Sequence, residues 1–435
     1  MPPRFLERMQ IQSAIHKAVF GEPEFDPPPY PSSHRRSESA TSSSTTHSLL
    51  QDKPLPLAPS GPPQYALIER PGAGVSDMPA LPKDSLVLVT GANGWQAMHV
   101  VDQLIAHGYR VRGTVRDAEK AVWTGRYFKD KYGPGKYMTA VIPNMLPQGA
   151  FDLAARGCSG VVHVASVMTF SPDPEEVVTP SIAGALNALE AAAREPSVKR
   201  FVYCSAAAAA VPQGSGMRED VTNESWNMSA LNTAWEPPPY DVDRSWAVFS
   251  SSKMQAEQTV WRWYRARRPH FVLNTVLPSM LWGRMLDPQN QGYPTSVAQL
   301  KLIFDGNAAA TSWAPPRKPI DRSTFPKLVR LTESDLEHFV DVQDSALLHV
   351  AALILPDVKG QRIFAAESSY NINSILQLLR GLYPNRVFEG DVSDHGVDLT
   401  VFRDAPKSKE LLRRMGKQGW TDMETSVSRN CEAFF

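Results

Sequence analysis

From Ser85 onward, short β-branched runs alternate with longer segments whose apolar residues recur at helical spacing. The runs at 85–90 (SLVLVT), 109–116 (YRVRGTVR), 137–143 (YMTAVIP), 160–166 (GVVHVAS), 199–205 (KRFVYCS) and 271–279 (FVLNTVLPS) read as strands. Such alternation predicts βαβ units around a buried parallel sheet, an α/β fold. The segment 179–195 (TPSIAGALNALEAAARE) predicts a helix, with Thr179 as its cap, Pro180 in its first turn and Ile182, Leu186 and Leu189 on one face. Beyond Pro278 the pattern is less regular, with a loop expected at 312–325 (SWAPPRKPIDRSTF) and a helix at 344–355 (DSALLHVAALIL).

Residues 1–80 differ in kind. They are rich in Pro, Ser and Thr, as in PPPYPSSHRRSESATSSSTTHS, and hold too little apolar surface to offset the entropy of ordering, so a disordered tail is expected there. Residues 81–280 are expected to form one α/β domain and residues 281–435 a smaller further region that completes its sheet.

Composition narrows the partners. The chain has 435 residues with 45 basic and 45 acidic side chains, so no long-range field draws it to nucleic acid or to an anionic membrane. No apolar run approaches the roughly 18 to 20 residues that span a bilayer. Cys158, Cys204 and Cys431 are widely separated and form no metal-binding pair, which makes a reducing cytoplasm the expected location. His163, His338 and His349 lack ligand spacing and partners, so ordinary structural roles and no metal site are expected. A small-molecule ligand and a monomer or homodimer fit these totals.

The strongest chemical signal lies in LVLVTGANGWQAMHVVDQLIAHGYRVRGTVRD, residues 86–117. A strand ends at Thr90, the turn Gly91-Ala92-Asn93-Gly94 follows, and a helix with Met98, Val101, Leu104 and Ile105 on one side runs to Gly108. Glycines 91 and 94 let backbone approach a pyrophosphate, small Ala97 permits close helix packing, and the helix amino end presents free N–H groups to the phosphates. The second strand ends at Arg116, where a selector for NAD would place a carboxylate. An arginine there grips a 2′-phosphate, which favours NADP (NADPH). The competing reading leaves Arg116 solvated and gives the ribose to Asp117; the charges of Arg112 and Lys120 favour the first.

These residues resemble the extended short-chain dehydrogenase/reductases of the NAD-dependent epimerase/dehydratase superfamily, in the branch of dihydroflavonol reductases and fungal or yeast aldehyde and carbonyl reductases. Matching stretches include VTGANG, GVVHVAS, SVKRFVYCS, SKMQAE, NTVLPSMLWG and FVDVQDSALLHVAALILP, spread over about residues 82–430. The resemblance implies a Rossmann doubly wound sheet with a smaller carboxyl-terminal substrate region, and NADPH-dependent reduction of an aldehyde or ketone. It carries the phosphate loop onto Gly91, Asn93, Gly94 and Ala97, the 2′-phosphate grip onto Arg116, and the lysine that holds the nicotinamide ribose onto Lys253. It places Asn144 near adenine, where the family often has aspartate, and Ala165, Ser166, Pro278 and Ser279 beside the cofactor.

The chemistry departs from that pattern. Where the family has its proton-donating tyrosine, four residues before the lysine, stands Phe249; where it has the second serine after the fifth strand stands Ala206. Ser205 is a poor substitute, because consecutive strand side chains point to opposite faces. A positioned general acid contributes about 10² to 10⁴ in rate and an oxyanion donor roughly 10² to 10³. Two readings follow. One is a reductase of the carbonyl/aldehyde type whose proton comes from elsewhere, such as Tyr240 or a water on Lys253. The other is an NADP-binding pseudoenzyme acting as sensor or binding partner. Non-redox chemistry has no residue in its support.

Overall fold

The computed structural model describes residues 78–211, 219–306, 337–391 and 398–435. Residues 1–77 of the expected tail and the loop expected at 312–325 lie outside them. Each β-branched run forms a strand: Leu86–Thr90 (β1), Arg110–Val115 (β2), Tyr137–Val141 (β3), Gly160–His163 (β4), Arg200–Cys204 (β5) and, after the two-residue Asp220–Val221 (β6), Val272–Pro278 (β7). Met280–Trp282 (β8), Glu337–Asp341 (β9), Arg362–Ala365 (β10), Ser368–Tyr370 (β11) and Val401–Phe402 (β12) follow.

Seven strands form one parallel sheet in the order β10-β7-β5-β4-β1-β2-β3. Every position of β1, β4 and β5 is buried, which requires cover on both faces and explains why these strands read as unbroken apolar runs. The chain fills one side of β1 with β2 and β3, then crosses back to place β4 on the other side. That reversal opens a crevice at the carboxyl ends of β1 and β4, the place where open α/β sheets take ligands.

The helices are Trp95–Ala106 (α1), Ala118–Tyr132 (α2), Pro174–Arg194 (α3), Ser245–Arg267 (α4), Thr295–Phe304 (α5), Val342–Ile354 (α6), Ile372–Leu382 (α7), Ala405–Arg414 (α8) and Met423–Cys431 (α9), with shorter turns between. The predicted stripe Met98, Val101 and Leu104 of α1 is fully buried and joins Val87, Val89, Leu348 and Ala352 in the largest apolar cluster. α3 corrects an expectation. It begins at Pro174 and is capped by Asp173, which accepts from the Glu175 amide at 3.0 Å, so Thr179 and Pro180 lie inside it. The acidic EEVV stretch before Thr179 favours a helix amino end, and Pro174 already supplies the first-turn proline.

The carboxyl-terminal residues do two things. β10 completes the main sheet beside β7, while β8, β9 and β11 form a separate three-stranded sheet over an apolar cluster that includes Phe304, Phe339, Leu379 and Val427. Deep in the molecule Glu257 of α4 meets Arg362 of β10 at 2.9 Å, both side chains essentially inaccessible to solvent. Thr275 and Ser205 also donate to this carboxylate, at 2.7 and 2.8 Å, so its lone pairs are filled and the buried charge is paired. Among the described residues no helix is long and apolar enough to cross a membrane.

Candidate active site

A cavity of about 970 Å³ opens at the carboxyl ends of the central strands. Gly91, Asn93, Gly94 and Ala97 line it, as do Ala165 and Ser166 beyond β4. Gly91 has φ +67°, and a Cβ there would stand 3.1 Å from the Ala165 Cα. Thr90 holds the two crossings in place: its Oγ1 accepts from the amides of Val164 and Ala165, both at 3.0 Å, and its proton is left for Nδ1 of His163 at 3.0 Å. His163 is therefore neutral, with its pKa lowered to about 3 by burial first and by the charge of Lys253 second. No side chain caps α1, so its first-turn N–H groups are open toward the cavity that Gly94, Trp95, Gln96 and Ala97 line.

Gly113 belongs to the same construction and escaped the sequence reading. A Cβ on it would lie 2.6 Å from the Ala92 Cβ and 2.3 Å from the Tyr137 hydroxyl, so only glycine lets the loop lie down on β2. The available signal was a glycine interrupting the β-branched run RVRGTV.

Arg116 lines the cavity with Lys120. Asp117, the competing ribose ligand, is spent as the cap of α2: it accepts from the Lys120 amide at 2.9 Å and pairs with the Lys120 ammonium. Arg112 does not add charge here. It lies four residues back along β2, about 13 Å, and donates to the carbonyls of Ala154 and Arg156 at 2.7 and 2.8 Å. Asn144 also lines the cavity, its Oδ1 accepting from the Leu146 amide at 2.9 Å.

One turn apart on α4, Phe249 and Lys253 face this cavity together. Lys253 is 6% exposed, and its ammonium makes no hydrogen bond or ion pair with the described residues. Burial depresses its pKa, with Cys204 and Glu257 opposing. A nearly buried cation without a protein partner fits the hydroxyls of a bound ribose. The Phe249 ring lies 5.9 Å from the ammonium and packs on Phe170 and Trp246, with centroids at 5.0 and 5.3 Å. Pro278, Ser279 and Ala206 complete this wall.

The profile of the NAD dependent epimerase/dehydratase family matches residues 87–234. Aldehyde reductase 2 of Sporidiobolus salmonicolor is 40% identical over 354 residues, covering 81% of this chain and 96% of that protein. The chain belongs to the NAD dependent epimerase/dehydratase family. An NAD-dependent epimerase/dehydratase of Aspergillus terreus is 34% identical across 81% of this chain and 98% of its own. In fold, the chain is similar to the yeast methylglyoxal/isovaleraldehyde reductase solved with NADPH, at a TM-score of 0.64 and 23% identity over 80% of this chain and 97% of that one.

Near Lys253 the hydroxyls differ in their commitments, and that of Ser279 lines the cavity, buried and without a hydrogen-bond partner among the described residues. Ser205 donates to Glu257 at 2.8 Å and is committed to the buried ion pair. Tyr240 does not line the cavity, and the Arg244 guanidinium lies 5.1 Å from its ring centroid. Phe249 and Ala206 bring no donor. His338, expected to lack a partner, has one: its Nδ1 lies 3.0 Å from the Asp398 carboxylate, and both residues line the cavity. Sixty positions separate the two, and no spacing rule joins them.

Proposed function

We propose that this chain is an NADP(H)-dependent oxidoreductase of the aldehyde or carbonyl reductase type. The observation that carries the reading is the unpartnered Lys253 ammonium, set in one cavity with the glycine loop and Arg116. Relatives support it: besides the aldehyde reductase 2, a ketoreductase of Penicillium rubens is 31% identical over 80% of this chain. Gly91, Asn93, Gly94 and Ala97 would hold the pyrophosphate, Arg116 the 2′-phosphate, Asn144 the adenine, and Lys253 the nicotinamide ribose, with Ala165, Ser166, Pro278 and Ser279 in contact around them. Residues 81–280 would form the cofactor part. Residues 281–435 would supply the substrate cover, a reading supported by Thr295, Ser296, His338, Asp398 and Phe402 in the cavity wall.

The cofactor, when bound, supplies hydride to a carbonyl carbon. What the protein does around that event follows from its side chains. The backbone amides of the loop and α1 neutralise phosphate charge, and Lys253 fixes the ribose while its low-dielectric setting strengthens each contact. Phe249, Phe170 and Trp246 present an apolar face that excludes water and suits a hydrophobic or aromatic carbonyl. A second reading, an NADP-binding pseudoenzyme, is favoured by Phe249 and Ala206 lining the cavity without hydroxyls, at the positions the resemblance gives to the family's Tyr and Ser.

The test is a titration of NADPH and NADH by fluorescence, followed by NADPH consumption with a panel of aldehydes and ketoesters. NADPH binding with turnover supports the reductase. Tight NADPH binding with no turnover on any of them supports the pseudoenzyme.

A further inference from the structure

We propose that His338, oriented by Asp398, donates the proton to the substrate's carbonyl oxygen, the task left open by Phe249 and Ala206. This rests on the reductase reading above. Three observations place the imidazole for it. β8 and β9 pair in parallel with Met280 opposite Phe339, so His338 and Ser279 each stand one residue before that matched pair, and both line the cavity. Ser279 lines the same cavity as Lys253 and Phe249. The carboxylate of Asp398 takes Nδ1, which leaves Nε2 for the cavity, and that nitrogen has no hydrogen-bond partner among the described residues.

The pair is built to hold this orientation. Both side chains are 12% exposed, the Phe402 ring meets the imidazole edge-on at 4.9 Å, and Asp398 accepts from the Thr400 amide at 2.8 Å. Burial opposes ionisation of Asp398, but hydrogen bonds from His338 and Thr400 outweigh it and hold the carboxyl below its ordinary range. The register partner of His338 on β11 is Ser369. Other ionisable groups on the cavity wall suit the task less. Arg116 and Lys120 belong with the glycine loop, Glu176 lies on α3, and burial pushes the Cys204 thiol up.

The step balances. As hydride reaches the carbonyl carbon from the reduced nicotinamide, the C=O π pair moves onto oxygen. That oxygen takes the proton from Nε2, the N–H bond breaks, and His338 is left as neutral imidazole hydrogen-bonded to Asp398. A proton from water restores it.

Steady-state reduction by the full chain, compared with H338Q and D398N across pH, tests the assignment. H338Q should lower kcat about a hundredfold, with NADPH affinity unchanged and the decline toward alkaline pH abolished. Added imidazole should restore part of the rate, and D398N should lower kcat about tenfold. A second readout does not depend on turnover. In histidine-labelled protein holding NADP+, the His338 resonance, assigned by its absence in H338Q, should move when isovaleramide, an unreactive analogue of an aldehyde, is added. If the unmodified protein reduces carbonyls and H338Q keeps both rate and alkaline decline, the proton comes from elsewhere and the assignment falls while the reductase reading stands. A higher KM with kcat and pH profile intact would make His338 a binding group, which also overturns it. If the unmodified protein binds NADPH and reduces nothing, both readings fall. Should H338Q lose NADPH binding through misfolding, H338N supplies the resonance assignment instead, and no movement of that resonance on adding isovaleramide overturns the proposal.

Discussion

The cofactor end and the reaction end of the cavity share walls but are made of different material. Backbone builds the first: Gly91 at positive φ, Gly113 under Ala92, and the uncapped start of α1, all locked by Thr90 and the buried neutral His163. Side chains build the second, where Phe249 and Ala206 bring no hydroxyl and the His338–Asp398 pair stands on the wall. A grip made of backbone geometry survives most substitutions around it, whereas chemistry carried by single side-chain atoms is removed by one change each. Under the proposed function, that difference would let one cavity keep its nucleotide cradle beside a changed reaction centre.

Acid should act most strongly, and on the cofactor end. His163, His99 and His349 are buried neutral, with pKa values lowered from 6.5 to about 3, 4 and 4, chiefly by desolvation. The unfolded chain binds these protons below pH 6.5 and the folded chain does not, so stability is fully present above pH 6.5 and falls as pH drops toward the folded values. Each histidine contributes a slope of about 1.4 kcal/mol per pH unit within that window. Urea midpoints at pH 7 and pH 5 check this, and equal stabilities would contradict it.

Glu257→Ala attacks the support that both ends share. It leaves Arg362 buried without its carboxylate and frees Ser205, and should cost about 3–5 kcal/mol in chemical denaturation. A loss under 1 kcal/mol would mean the pair is not the support it appears in the fold.

The double change Phe249→Tyr with Ala206→Ser would erase the contrast between the two ends. The phenol would share a helical face with Lys253, whose charge favours the phenolate, and the rate on carbonyls should rise about a hundredfold, roughly 2.7 kcal/mol of transition-state stabilisation. NADPH affinity measured alongside separates chemistry from binding. No gain in a variant that still binds NADPH would show that the reaction end has diverged beyond its two hydroxyls.

Arg116→Ala gives the smallest expected effect and sharpens the description of the cofactor end. It should weaken NADPH about tenfold, roughly 1.4 kcal/mol, and leave NADH unchanged, if the guanidinium pairs with the 2′-phosphate as proposed. Equal losses for both nucleotides would assign Arg116 to the adenine or to structure.

The six strands, the first helix and the glycine turn between them were legible in the chain because they rest on local rules: β-branched runs, helical period and glycine spacing. Phe249 and Lys253 were legible as a pair for the same reason, four residues on one helix. Three things were decided only by the packed structure. The start of α3 moved to Pro174 because a stronger cap and proline lay upstream of Thr179 and Pro180. Arg112 left the cofactor site because strand length carries it to other carbonyls. His338 and Asp398 met because β9 is laid beside β8 and the residues before β12 fold back over it, a contact across sixty positions that no local period encodes. Sequence determines what a segment is when its own neighbours set its energy; which distant side chains share a wall is set by sheet order and by burial, and these exist only once the chain has closed on itself.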